Sequence, residues 1–220
     1  MQDSVFSNDR WLFGGQAGLE LGFDNQDSFK ISGAYYDYVN VIANQNKSAT
    51  FTCDNNTAAN NASRPGFLQG GNTYATICAE GNRNSLASRT GLPAMVGLAS
   101  DFDIVNINAS YDMAMFAPYH LRLSGDYARN IGFNQREVSA MHGRQVEEKT
   151  TAWQIRADFG WPKAEVAGHW NVFAAYKYVE RDAVLDAFTD SDFHLGGTNT
   201  KGWFIGGNYG LMKNVWLTGR

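Results

Sequence analysis

The chain has 220 residues, 44% of them hydrophobic and 14% aromatic, but only 18% charged, below the roughly 25% of ordinary soluble domains. The shortfall is filled by 23 Gly, 10 Tyr and many Asn and Ser, a mix poor in helix formers and rich in strand and turn formers. A net charge of -4 lacks the basic footprint of a nucleic-acid binder, no apolar run reaches the roughly 18 residues of a membrane helix, and Met1-Gln2-Asp3-Ser4 lacks the basic start and apolar core of a targeting segment.

The hydrophobic period is two from the first element onward. In Trp11–Asp24 the odd positions Trp11, Phe13, Ala17, Leu19, Leu21 and Phe23 alternate with Gln16, Glu20 and Asp24, which predicts a strand with one apolar and one polar face. After Asn25-Gln26-Asp27 the pattern resumes over Ser28–Asn40. A long irregular stretch from about 42 to 100 follows, full of turn chemistry such as Asn55-Asn56, Asn60-Asn61, Pro65-Gly66 and Gly70-Gly71. Strands are then predicted over Asp103–Asp112 and Tyr119–Arg129, joined by a short connection at Met113–Pro118. A polar loop at 130–149 leads to a strand at Thr151–Phe159. A turn near Trp161–Gly168 leads to Trp170–Glu180, and a loop at about 181–200 leads to Gly202–Gly210. A turn at Leu211–Asn214 opens one more strand at Val215.

Short and long connections alternate along these eight strands, and Trp and Tyr gather near strand ends. Transmembrane β-barrels show this asymmetry of tight turns and long loops, with aromatic girdles at both interfaces. The fold expected is all-β: an antiparallel up-and-down transmembrane β-barrel, with 1–220 as a single barrel segment carrying long loops at 42–100, 130–149 and 181–200. The chain ends within the strand pattern at Val215-Trp216-Leu217-Thr218-Gly219-Arg220 and shows no export signal, so it reads as a fragment of a larger barrel. The competing reading is a soluble β-sandwich whose apolar face packs on a second sheet.

Two cysteines, Cys53 and Cys78, lie in the same Asn-rich stretch. In an exported protein such a pair is expected to form a disulfide, worth roughly 3 kcal/mol by loop closure, whereas in a reducing compartment both would be free thiols.

With the apolar parity facing lipid, the polar parity would line a pore through Glu20, Lys30, Arg122, Asp126, Arg156, Asp158 and Lys177, with Asp112 beside them. Opposed charges across a constriction would orient dipolar solutes; alternatively, they pair across neighbouring strands and brace the wall. The loop at 181–200 offers Asp182, Asp186, Asp190, Asp192 and His194. A divalent-cation site is the sharper reading of it. The favoured one is a folded loop whose carboxylates accept backbone N–H groups, because Asp190-Ser191-Asp192 lacks the spacing of a calcium loop. His120, His142, His169 and His194 are scattered without ligand spacing and are expected on the lumen side or in loops. No nucleophile elbow is present, so neither an enzyme nor a cofactor is expected.

The stretch from Asn171 to Trp203 resembles the C-terminal region of the bacterial putative porin family. The matching words are Tyr176-Lys177-Tyr178, Asp186-Ala187-Phe188-Thr189-Asp190-Ser191-Asp192-Phe193 and Gly196-Gly197-Thr198-Asn199, followed by Asn208-Tyr209-Gly210-Leu211 and Lys213-Asn214-Val215-Trp216-Leu217. The first hundred residues carry only general barrel character. The resemblance implies a porin of the Gram-negative bacterial outer membrane, a passive diffusion channel for small polar or ionic solutes, with the chain taken from the later part of a longer barrel. It departs from the family where it stops before a closing strand. Membrane lipid, lipopolysaccharide and small polar solutes are the partners implied, with no nucleic acid and with a homo-oligomer left open. The alternative function is a non-conducting outer-membrane barrel, an adhesin or a sleeve for a periplasmic partner.

Overall fold

A computed structural model describes residues 9–44, 63, 65–77 and 96–220. Cys53 and Cys78 lie outside the described residues. The period of two is realised as strands β1 (Trp11–Gly22), β2 (Ser28–Val39), β5 (Phe102–Phe116), β6 (Tyr119–Asn130), β7 (Thr151–Gly160), β8 (Trp170–Val179), β9 (Thr200–Met212) and β10 (Val215–Gly219). They form one antiparallel sheet in the order β1-β2-β5-β6-β7-β8-β9-β10, with β1 and β10 at its edges. Each strand thus pairs with the strand before it in the chain, apart from the excursion between β2 and β5. All seven complete strands expected from the sequence are present, as is the eighth opened at Val215. No described helix is long and apolar enough to cross a membrane, which says nothing of strands.

Continuous register turns the alternation of each strand into rows that cross the sheet. One row runs Leu19, Ile31, Ala109, Gly125, Ile155, Tyr176, Trp203; the next runs Leu21, Phe29, Tyr111, Leu123, Ala157, Ala174, Ile205. Neither contains a charge, and both lie on the face of the sheet opposite the buried core, the outer face. Leu19 is 56% exposed, Ile155 55% and Ile205 69%. Leu121 and Val172 share a third outer row through Phe159. Leu19, Leu21, Ile31, Leu121, Leu123, Ile155, Val172 and Ile205 therefore share this face.

Aromatic side chains bracket the uncharged band. Toward the long connections Trp153 lies 5.5 Å from Tyr176 and 5.9 Å from Tyr178, and Tyr176 lies 5.1 Å from Trp203. Toward the short turns Tyr119 lies 5.7 Å from Trp161 and 5.5 Å from Trp170. Trp153 and Trp161 are separated by roughly 27 Å of strand at ~3.4 Å per residue. At a tilt of about 40° that becomes ~21 Å, close to the ~25 Å apolar band of outer-membrane barrels.

The buried core sits on the other face, at its long-connection end. There Tyr38, Phe102, Ile104, Ala128, Ala152 and Val179 of the sheet pack against Val41, Leu98, Ala183 and Leu185 of the connections. The connections thus fold over one end of the inner face.

Three segments differ from the sequence expectation. The irregular stretch at 42–100 contains a small two-stranded sheet of β3 (Tyr74–Thr76) and β4 (Val96–Leu98). The loop at 130–149 contains a helix, α1 (Gln135–His142), started by Asn134, whose Oδ1 accepts from the N–H groups of Arg136 and Glu137, and ended by Gly143 at φ 63. Its Val138 is fully buried against Ala75, Ala99 and Val146. Finally, β5 continues through Met113 to Phe116 rather than ending at Asp112. Its register shifts between Met113 and Phe116, where the Ala114 N–H turns to donate to Asp27 Oδ1 at 2.8 Å, and that shift breaks the two-residue period.

Candidate functional site

The same register that gathers the apolar residues gathers the charges. Glu20 faces Lys30 on β1 and β2, and the row continues through Ser110 and Ser124 to Arg156. Arg122 stands between Asp112 and Asp158, and Asp126, Gln154 and Lys177 form a third row that ends at Gly202. Glu20, Lys30, Arg122, Asp126, Arg156, Asp158 and Lys177 therefore share one face of the sheet.

Most of these charges are held in pairs. Lys30 Nζ lies 3.0 Å from Glu20. Arg122 donates to Asp112 Oδ2 from Nε at 3.0 Å and Nη2 at 2.6 Å, while His120 Nδ1 meets Asp112 Oδ1 at 2.6 Å. Arg156 grips Asp158, two residues along its own strand, from Nε at 2.9 Å and Nη2 at 2.5 Å, and its guanidinium lies 3.8 Å from the centre of the Phe173 ring. Uncharged groups extend the lattice: Gln16 donates to Ser32, Ser32 to Asn108, and Asn106 to Asp126 at 3.0 Å. Ion pairing is thus the observed state of Glu20, Lys30, Arg122, Arg156 and Asp158, across neighbouring strands for the first three and along one strand for the last two.

At the long-connection end a second lattice joins residues 69–73 to residues 181–198. Asp186, 1% exposed, accepts at Oδ2 from the N–H groups of Gln69 and Gly70 at 2.8 and 2.6 Å and from the Tyr74 hydroxyl at 2.7 Å. Asp182, 0% exposed, accepts from the Thr73 N–H at 2.7 Å and the Thr73 hydroxyl at 2.5 Å. Asn72 donates to the carbonyls of Arg181 and Val184, and its own carbonyl oxygen accepts the Asp186 N–H. Asn130 donates to the carbonyl of Asp182 and so ties the lattice to the end of β6. Close backbone approach is needed at Gly71, where φ is +104 and an added Cβ would stand 2.4 Å from the Thr198 carbonyl oxygen.

Burial raises the Asp182 carboxyl above the ordinary range despite the two Thr73 hydrogen bonds. The Tyr74 hydroxyl is raised by burial and by Asp186. Asp190 is held below the ordinary range by the Asp192 N–H, with Arg220 adding to the effect. Asp27, at the opposite end, is lowered chiefly by the Ala114 N–H.

The acidic loop therefore behaves as the favoured sequence reading expects, with carboxylates accepting backbone N–H groups. Asp190 and Asp192 both pair with Arg220 at 3.2 Å. The histidines are dispersed: His120 on the inner face, His142 between the carbonyls of Val138 and Tyr74, His169 stacked on Trp161 at 3.8 Å, and His194 beside Gly202. Sequence reasoning did not find the partners Asn72, Thr73 and Tyr74, because the lattice joins residues more than a hundred positions apart.

Beneath the 181–199 connection the inner face holds a cavity of about 500 Å³, bordered by Tyr38, Asp126, Gln154, Lys177, Phe188 and Phe193 among others. Tyr38 and Phe188 form a tilted ring pair at 5.8 Å.

A family model described as "Putative porin" matches residues 1–220, the whole chain, so the likeness extends beyond the last third in which the sequence words lie. No curated protein and no solved structure matches the chain.

Proposed function

This chain belongs to the putative porin family, and from that premise we propose that its sheet is part of the wall of a transmembrane β-barrel in the bacterial outer membrane, through which small polar or ionic solutes diffuse. Membership speaks for a porin-like outer-membrane role and against an enzyme. The observation that carries the reading is the division of the sheet into two chemistries. Its outer rows are uncharged and exposed across seven adjacent strands, a patch larger than soluble monomers present to water. Its inner rows hold Glu20, Lys30, Arg122, Asp126, Arg156, Asp158 and Lys177, which we assign to the pore wall. A lipid environment removes the cost of the first face, and a water-filled lumen removes the cost of the second.

A specific observation supports a second reading, a barrel that holds a partner or a structure without passing current: the connections cover one end of the inner face. Planar-bilayer recording of the reconstituted protein separates the two. Stepwise conductance is the expected result. A silent membrane from protein whose β-sheet signal is intact would overturn the channel reading in favour of the non-conducting one.

A further inference from the structure

The four inner-face cations are not equivalent. Lys30, Arg122 and Arg156 each hold a carboxylate. Lys177 holds none within 4.0 Å among the described residues; its ammonium instead lies 5.1 Å from the Phe193 ring centre and 5.8 Å from that of Phe204. The inner-face acids divide in the same way. Glu20, Asp112 and Asp158 are paired with cations, whereas Asp126 has, among the described residues, the Asn106 amide at 3.0 Å and no cation within 4.0 Å. The two groups left without ionic partners occur in one row, Asp126–Gln154–Lys177, on the border of the same cavity. The other charges near Lys177 are Asp190, which also borders the cavity and favours the Lys177 ammonium, and Arg220, which pairs with Asp190. Lys177 is partly buried and Asp126 is exposed, and charged groups left without an ion pair on the border of a cavity of this size are the natural contacts of a ligand.

We propose that this cavity is a binding subsite for a zwitterionic solute with an apolar body, an amino acid with an aromatic or large aliphatic side chain. The solute carboxylate meets the Lys177 ammonium, its own ammonium meets Asp126, and Gln154 lies between them with an amide that can serve either. Two charge-assisted hydrogen bonds of ~2.8 Å and the roughly 3 Å between the charged groups of an α-amino acid span about 9 Å. Two strand spacings, ~9.6 Å, separate the backbones of the two residues along their row. The Tyr38–Phe188 pair and Phe193 supply an apolar wall for the side chain. Gly202, facing Lys177 on β9, leaves room for the segment that roofs the cavity: a Cβ there would stand 3.1 Å from His194 Nε2 and 3.7 Å from the Phe193 ring. A free carboxylate would satisfy only Lys177, a free amine only Asp126, and a neutral sugar neither charge.

The proposal deepens the pore reading and rests on it for the route by which the solute arrives. The test is isothermal titration calorimetry on the full chain refolded in detergent, with L-phenylalanine as probe beside 3-phenylpropionate, phenethylamine and glucose. Phenylalanine is expected to bind saturably and at least tenfold more tightly than the other three. Lys177→Gln and Asp126→Asn should each weaken it tenfold or more, Lys177→Arg should retain most of the affinity, and Lys213→Gln, in the distant β9–β10 turn, should change nothing. Absent binding to folded protein, equal binding of glucose, or binding indifferent to both Lys177→Gln and Asp126→Asn would overturn the proposal. Calorimetry needs no current, so binding with a silent bilayer would sink the pore and keep the subsite. Conductance without binding would do the reverse.

Discussion

Asp186 shows how one side chain can decide the position of a segment far away in the chain. A single carboxylate oxygen accepts two backbone N–H groups and a tyrosine hydroxyl, all from residues 69–74. Truncation to alanine would leave three donors without that acceptor, each costing about 1–3 kcal/mol if it stays buried. Asp186→Ala is therefore expected to free residues 69–77 and 181–198 from each other. Limited proteolysis should then cut within one of these segments at a rate at least tenfold above the parent, while circular dichroism retains the β-sheet signal. Unchanged protection would show that the carboxylate is dispensable. Asp182 sits in the same lattice with its carboxyl raised by burial.

Two connections are joined by these side chains, and a pH dependence follows at that scale. A raised carboxyl pKa means that the folded state holds a proton the unfolded state releases. The stabilisation from Asp182 is thus present below the unfolded value near 3.8 and is lost as pH rises through the raised folded value. Asp190 and Asp27 have lowered values and act in the opposite sense: their stabilisation is present above the unfolded value and lost as pH falls through the folded one. Within the lattice, amide protons of residues 69–73 should exchange more slowly below the unfolded carboxyl value than at pH 7 after correction for intrinsic rates, and Asp182→Asn should flatten that difference. A difference that survives the substitution would assign the effect elsewhere. Much at the level of elements was legible beforehand. The strands were, because a half-buried strand writes its two faces into adjacent residues. Helix α1 left a fainter trace, Asn134 followed three residues later by Glu137, and its eight residues are too few to impose a period. The lattice left none, since nothing near Asp182 in the sequence identifies Thr73 as its partner. On the inner face the parity of Lys177 and Asp126 was readable, but their shared row depends on the register of β6, β7 and β8 together.

For the molecule as a whole the decisive property is that charge runs along the inner face, whereas on the outer face it is confined to Asp37, Asp103, Arg129 and Lys201 at the long-connection end. Because a strand moves its side chains together, register protects this division. Leu123, 47% exposed in the middle of an uncharged row, is expected to tolerate no charge: Leu123→Arg should cost about 2–4 kcal/mol at mid-depth and impair assembly. Its neighbour Arg122 lies on the inner face, so Arg122→Gln should assemble normally and alter conductance or ion preference. Heat-modifiable gel mobility of the two variants reads assembly directly. A folded Leu123→Arg beside an unfolded Arg122→Gln would mean that the inner face is not a lumen. The order of the strands also bears on how the sheet is built. Six of the seven pairings in the main sheet join consecutive strands, and three of those connections are turns of a few residues, but β2 reaches β5 only across about 60 residues, whose closure costs about 3 kcal/mol more than that of a two-residue turn. That pairing is the entropic bottleneck of assembly. The bridge between Ile42 and Leu98, with the Ala43 N–H donating to the Leu98 carbonyl at 2.8 Å, fastens the neck of this excursion just beyond the strand ends, where a clasp resists reopening most effectively.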